Sequence, residues 1–322
     1  MSLDKTALPS TDYFVSMFDD FGMWQHATGK AIALEHGYAL DDVARGLLVC
    51  LRYDLPEQAK VCMNYLKSSV RDKKLVGFFD EHRNVVSTPS SEDAHGLALW
   101  ALSGAAKDGF ETLEASQLYN LLADTNLDSS FLRPHVYGLI AACLADDEER
   151  ASVHEARLLS AYSDDRGWFE DTLYYANGAF PYALLLRYQK TKNQKLLDIA
   201  EGCLSLLNEE QHIGSCPAPI SNDWPKLGAA RVSIYGQQPI EAGFMVMAGA
   251  LYADISGNKK ARKNVSYWMS WFSGNNISQI SMVDPDGACH DGLEAYGPNP
   301  NCGAESTIMY LLAAYDYLRV RQ

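Results

Sequence analysis

EAGFMVMAGALYADI (241–255), followed at once by KKARKNVSYWMSWF (259–272), decides the reading of the fold. The first stretch is apolar on every side, so as a helix it must be buried on every side. The second carries one apolar stripe and one charged face, the pattern of a helix half in water. Together they predict a helical hairpin with an inner and an outer rod.

The same alternation runs along the chain. Buried-type segments occupy 41–53, 92–106, 135–145, 177–189, 241–255 and 305–318. Amphipathic segments occupy 56–70, 112–125, 147–162, 194–210 and 259–272, with TDYFVSMFDDFG (11–22) a weaker sixth. Period-2 strand runs are few, with short pieces expected near 74–87 and 279–284. The buried helices are expected to start near 42, 93, 135, 171, 241 and 305, one helical hairpin plus loops apart. An open array of hairpins needs polar caps at its ends, whereas 305–318 is among the most apolar segments. The pattern therefore predicts an all-α closed toroid of six hairpins, an (α/α)6 arrangement. A single domain over 1–322 is expected, with 1–10 a flexible tail.

Composition narrows the function. The 322 residues hold 41 acidic and 27 basic side chains, a net charge of −14, which argues against a general nucleic-acid binder. No apolar run is long enough to span a membrane, and MSLDKTALPSTDYF lacks an apolar signal core, so a cytoplasmic protein is expected. The seven cysteines are odd in number and have no CxxC spacing, which reads as free thiols. No cofactor and no metal site is expected, and no GxSxG or phosphate-binding loop occurs.

The loops entering the buried helices carry the candidate chemistry: HGYALDD (36–42), SSEDAHG (90–96), GWFEDTLYYANG (167–178), YGQQPIEAG (235–243) and PNCGAES (300–306). Five of six expected helix starts bear Asp or Glu, and the third offers Arg133 and His135. If the ring closes, Asp41, Asp42, Glu92, Asp93, Glu170, Asp171, Glu241 and Glu305 gather at one mouth. Helix capping accounts for any one of these acids. It does not account for the companions Trp24, His26, Tyr38, His95, Trp168, Phe169, Tyr174, Tyr175, Trp224, Tyr235, Gln237, Gln238, His290 and Asp291. Aromatic faces stack on sugar rings while carboxylates, amides and imidazoles bind hydroxyls, so the mixture suits a neutral polyol. Paired carboxylates also cleave glycosidic bonds, one as acid and one as base or nucleophile.

GMWQHA (22–27), HGYALDDVARGL (36–47), SSEDAHGLALWAL (90–102), WFEDTLYYANGAFPYALL (168–185), YGQQPIEAG (235–243), HDGL (290–293) and NPNCGAESTIMYLLA (299–313) occur in that order. Together they resemble a bacterial and archaeal family of six-hairpin glycosidase-like toroids, often associated with glycosyltransferases. The resemblance implies a sugar-binding cleft formed by the inner-helix starts. It also implies a separately encoded glycosyltransferase as a partner. By position, Asp42, Asp93, Asp171, Glu241 and Glu305 match the family's motif acids. No Rossmann-type fingerprint occurs in the sequence, so a nucleotide-sugar domain is not expected within this chain.

Three activities follow as expectations. The leading one is a glycoside hydrolase acting on an oligosaccharide, with Asp93 as acid and Glu241 as base. The second is a sugar epimerase or isomerase using His26, His95 or His290. The third is a non-catalytic glycan-binding partner of a glycosyltransferase.

Overall fold

A computed structural model describes residues 7–321. Its contacts separate into two compact units. One holds Phe14–Ser160; the other holds Ala161–Gln322 with the N-terminal segment through Tyr13.

In the Phe14–Ser160 unit, three hairpins follow one another: α2 (Leu40–Tyr53) with α3 (Pro56–Ser68), α4 (Glu92–Lys107) with α5 (Thr112–Leu122), and α6 (Leu132–Leu144) with α7 (Glu148–Ala161). The inner rods α2, α4 and α6 pack in series. Nearly every side chain of α6 is buried, whereas α7 buries only Ala151, His154 and Leu158. This is the inner–outer division that the two hydrophobic patterns predict. Asp54 ends α2 in a left-handed conformation, and Pro56 opens α3, where its missing N–H costs nothing. The Ser91 hydroxyl caps α4 by accepting the Ala94 N–H at 3.1 Å.

In the other unit, α8 (Ala179–Thr191) pairs with α9 (Gln194–Glu210) and α10 (Pro239–Ser256) with α11 (Lys259–Ser270), and α12 (Ala304–Arg321) closes the sequence. The inner rod α10 lies between α8 and α12. Pro239 sits in its first turn, and Gly257 ends it with φ 64°. Asn258 then starts α11 by accepting the Lys260 N–H at 2.8 Å. A Cβ on Gly178 would come within 2.8 Å of the Phe244 backbone, so glycine there lets the start of α8 touch the first turns of α10.

Three expectations are corrected. The helix expected over 11–22 is one turn only, α1 (Asp12–Ser16). It stops because the Asp19 carboxylate captures the N–H groups of Phe21 and Gly22, making a turn that pairs Phe18 with Met23. The fourth inner helix begins at Ala179, not near 171; a loop with isolated bridges to Ser163 and Lys226 occupies the interval. Pairing at 279–284 shrinks to a single bridge, Val283 to Cys289, while 74–87 does form the expected short strands β1 (Lys74–Leu75), β2 (Phe78–Phe79) and β3 (Val85–Ser87).

Of the expected flexible tail, residues 1–6 lie outside the described residues. Just beyond it the chain is anchored: the Tyr13 N–H donates to the Asp286 carbonyl and its hydroxyl to the Cys302 carbonyl at 2.7 Å. All seven cysteines are free thiols. Among the described residues, no helix is long and apolar enough to cross a membrane.

Candidate functional site

In the Phe14–Ser160 unit, the first turn of α2 places Asp41 and Asp42 three and four residues before Arg45. The buried guanidinium donates to Asp41 Oδ2 at 3.0 Å and Asp42 Oδ1 at 3.1 Å. Asp42 is itself 4% exposed, and the capping residue Ala39 has no side chain to offer the helix. These acids are therefore held by a cation rather than serving as caps. At α4 the cap is Ser91, which leaves Asp93 half-buried in the first turn without that duty. Glu92 is exposed and accepts the Ser129 hydroxyl at 2.5 Å, tying the start of α4 to the loop that enters α6.

Several predicted ligands in this unit are structural. Trp24 and Tyr38 stack on each other with centroids 4.1 Å apart, and the Tyr38 hydroxyl is bound to Asp19 at 2.6 Å. His95 is buried and sets Nε2 3.0 Å from the Leu122 carbonyl of α5, away from the helix start; burial pushes its pKa down. His26 is exposed, with its ring edge-on to His36 at 4.8 Å.

In the Ala161–Gln322 unit, the structure gathers three helix starts. Asn177, just before α8, donates to Glu241 Oε2 through its side chain at 3.0 Å and its backbone N–H at 3.3 Å. Leu293 pairs with Gln237 beside the start of α10. Asp291 Oδ1 accepts the Gly303 N–H at 2.5 Å, capping α12 from a distant loop. Glu241 is 2% exposed in the first turn of α10, where Gln238 makes no side-chain cap. Both donors converge on Oε2, so that oxygen acts purely as an acceptor. Glu305 is half-buried in the first turn of α12.

Here too some predicted ligands are occupied. Gln237 is fully buried; its Oε1 accepts the Trp271 indole N–H at 2.8 Å and its Nε2 donates to the Ile234 carbonyl at 2.8 Å. Trp168 is fully buried against Phe169 and Phe180. Asp171 lies in the loop, 80% exposed at its side chain, and pairs with Arg166 at 2.9 Å. Glu170 and Gln238 are half-buried. His290 directs Nδ1 to the Asn299 carbonyl at 2.7 Å, so Nδ1 carries a proton, and its Nε2 lies 4.0 Å from Asp284 Oδ1. Tyr174 remains 38% exposed and meets Trp224 edge-to-face, with centroids 5.6 Å apart.

Sequence reasoning missed Arg45 and Asn177 as site residues. Arg45 had a signal in its helical spacing from Asp41 and Asp42. Asn177 had none, because its partner lies 64 residues away. Among the described residues, no cluster of three or more His, Cys, Asp or Glu could hold a metal ion. A groove of about 520 Å³ lies between α9, α10 and α11, lined by Asn208, Tyr252, Lys260 and Tyr267. It reaches α10 at Gly249, eight residues and so about 12 Å along the helix from Glu241. The Asn208 Oδ1 there already accepts from Asn264 and Trp268. The groove is separate from the helix starts.

No family model matches the chain, and no curated protein matches it in sequence. Solved structures match in fold. A cellobiose 2-epimerase from Bacillus thermoamylovorans is 12% identical, with 99% of this chain and 97% of that one covered and a TM-score of 0.74. A D-mannose isomerase is 13% identical over 96% and 95%, with a TM-score of 0.71. A GH76A α-1,6-mannanase from Salegentibacter sp. is 12% identical over 98% and 98%, with a TM-score of 0.68. The chain therefore has the all-α (α/α)6 toroid fold of these structures. Identity this low speaks for architecture alone.

Proposed function

We propose that the protein is a carbohydrate-active enzyme that cleaves a glycosidic bond in an oligosaccharide, with Glu241 as its principal carboxylate. The observation that carries this reading is the Asn177–Glu241 pair: a nearly buried carboxylate at an inner-helix start, fixed by two N–H donors. Asn177 donates to Oε2, an arrangement suited to a carboxylate that must stay ionised as base or nucleophile. The fold likeness to a mannanase, an epimerase and an isomerase supports a sugar substrate. Asp93, which Ser91 relieves of capping α4, is the second carboxylate to be tested.

The test is product analysis on a panel of neutral oligosaccharides with wild-type protein, Glu241→Gln and Asp93→Asn, each checked for folding by circular dichroism. Chain shortening is expected in the wild type. Loss of one acid–base group should lower the rate by about 10²- to 10⁴-fold. Undiminished cleavage by Glu241→Gln removes the assignment. Tight binding without any turnover would favour the glycan-binding role beside a glycosyltransferase.

A second reading, epimerisation, is favoured by one observation. The Asn299 carbonyl fixes the His290 ring through Nδ1, and Nε2 faces Asp284 Oδ1 at 4.0 Å on a ring only part-buried, a His–carboxylate arrangement suited to proton transfer. Deuterium uptake from heavy water into a free sugar, without chain shortening and lost in His290→Asn, would select it.

A further inference from the structure

We propose that Trp224 and Tyr174 form a stacking platform for a pyranose ring of an oligosaccharide, a second sugar subsite beside Glu241. This deepens the oligosaccharide reading and rests on it.

Trp224 stands apart from the other tryptophans. The chain has six, and Trp24, Trp100, Trp168, Trp268 and Trp271 are all buried, whereas Trp224 is 47% exposed. A large apolar side chain left in water is the informative case. Its backbone is in the left-handed region, at φ 44°, a conformation costly for a bulky residue. The neighbouring chain enforces it. Leu173 N–H donates to the Pro225 carbonyl, Leu227 N–H donates to the Asp171 carbonyl, and Thr172 bridges Lys226. A turn at Trp224 is thus laced to the strand-like run 171–174, and the strain is spent on turning the indole out beside Tyr174.

The two rings meet at 65°, forming a corner rather than a stack. Each retains exposed ring surface. A sugar presents flat C–H faces and a rim of hydroxyls, so one face can rest on an aromatic ring while the rim stays available to polar groups. Such groups lie on the same loop: Arg166 and Asp171, paired at 2.9 Å, both keep exposed side chains. The Asn177 amide, whose Nδ2 lies 3.5 Å from the Tyr174 carbonyl, holds Glu241. The loop that carries the platform is thus joined to the carboxylate through the Tyr174 backbone carbonyl and Asn177. A platform there binds a unit of the substrate other than the one undergoing reaction, so it selects oligosaccharides over monosaccharides.

The test uses Trp224 as its own probe. Acrylamide quenching of tryptophan fluorescence is measured with glucose, mannose, cellotetraose and α-1,6-mannotetraose, beside calorimetry of the same sugars with wild type, Trp224→Phe and Trp224→Ala. The expected result is that a tetraose, and neither monosaccharide, shields the quenchable fluorescence, and that Trp224→Phe lacks that component. Trp224→Ala should bind the tetraose roughly ten-fold more weakly, while Trp224→Phe, which keeps a ring, retains most of the affinity. A tetraose that binds by calorimetry without shielding Trp224, and equally well to Trp224→Ala, overturns the platform and leaves the carbohydrate reading standing. Absence of any saccharide binding to the wild type overturns both.

Discussion

Arg45 and Asn177 each hold a buried carboxylate, and their removal should be felt differently from removal of the acids. Arg45→Met removes the guanidinium that donates to Asp42, a carboxylate only 4% exposed. A loss of about 3–5 kcal/mol of stability is expected, read by denaturant unfolding. Asp42→Asn in the Arg45→Met background should recover part of it, because the double change removes both charges. Asn177→Ala takes a donor from Glu241 Oε2 but leaves the backbone N–H in place. It should cost about 1–3 kcal/mol of stability and lower activity with Glu241 still present. Activity unchanged in Asn177→Ala would mean that Glu241 needs no fixed orientation.

At the scale of the element, the helix starts behave in two ways. Where a short polar side chain caps the helix, as Ser91 does for α4, truncation should cost about 1 kcal/mol: Ser91→Ala tests this by thermal unfolding. Where an acid occupies the first turn but is bound elsewhere, as Asp42 and Glu241 are, replacement should act mainly through those bound partners. Packing between rods is less forgiving. A Cβ on Gly138 of α6 would overlap the His154 ring of α7, so Gly138→Ala should destabilise by about 1–3 kcal/mol or force that hairpin apart. The hairpins were legible in the sequence because burial on all sides and burial on one stripe leave different periodicities. The α1 segment was misread because Asp19 offers the backbone a local turn that competes with a helix. The start of α8 was misplaced because the aromatic-rich run WFEDTLYY carries hydrophobicity for the core, as at Trp168, without helical continuity. Within the site, the acids were visible as residue types. Their partners were not, since Asn177 and Glu241 lie 64 residues apart and a buried Gln237 reads the same as an exposed one.

For the molecule as a whole, buried histidines set a pH limit. His135 directs Nε2 to the Ser129 carbonyl at 3.0 Å and meets His154 Nδ1 to Nδ1 at 2.9 Å. This pattern excludes charge on both rings at once: His135 donates from Nε2 to the carbonyl, and a single proton lies between the two Nδ1 atoms. Burial lowers the pKa of His95 and His135, and burial together with the neighbouring His135 pushes His154 down to about 4. Arg150 beside His154 and Arg157 beside His135 act in the same direction; Asp147 and Glu92 oppose them. Because the folded pKa lies below the unfolded value of about 6.5, protons favour the unfolded chain. Stability should be fully present above pH ~6.5 and fall progressively toward pH ~4, measured as Tm against pH. A flat curve across that window would show that the pair is solvated or titrates normally.

The most direct measurement is a crystal structure of the Glu241→Gln protein soaked with cellotetraose and, separately, with α-1,6-mannotetraose. The account predicts a sugar chain with one ring against Trp224 and Tyr174 and an adjoining glycosidic oxygen within hydrogen-bond reach of the side chain at position 241. Sugar bound only in the groove between α9 and α11, or nowhere on the protein, would contradict it.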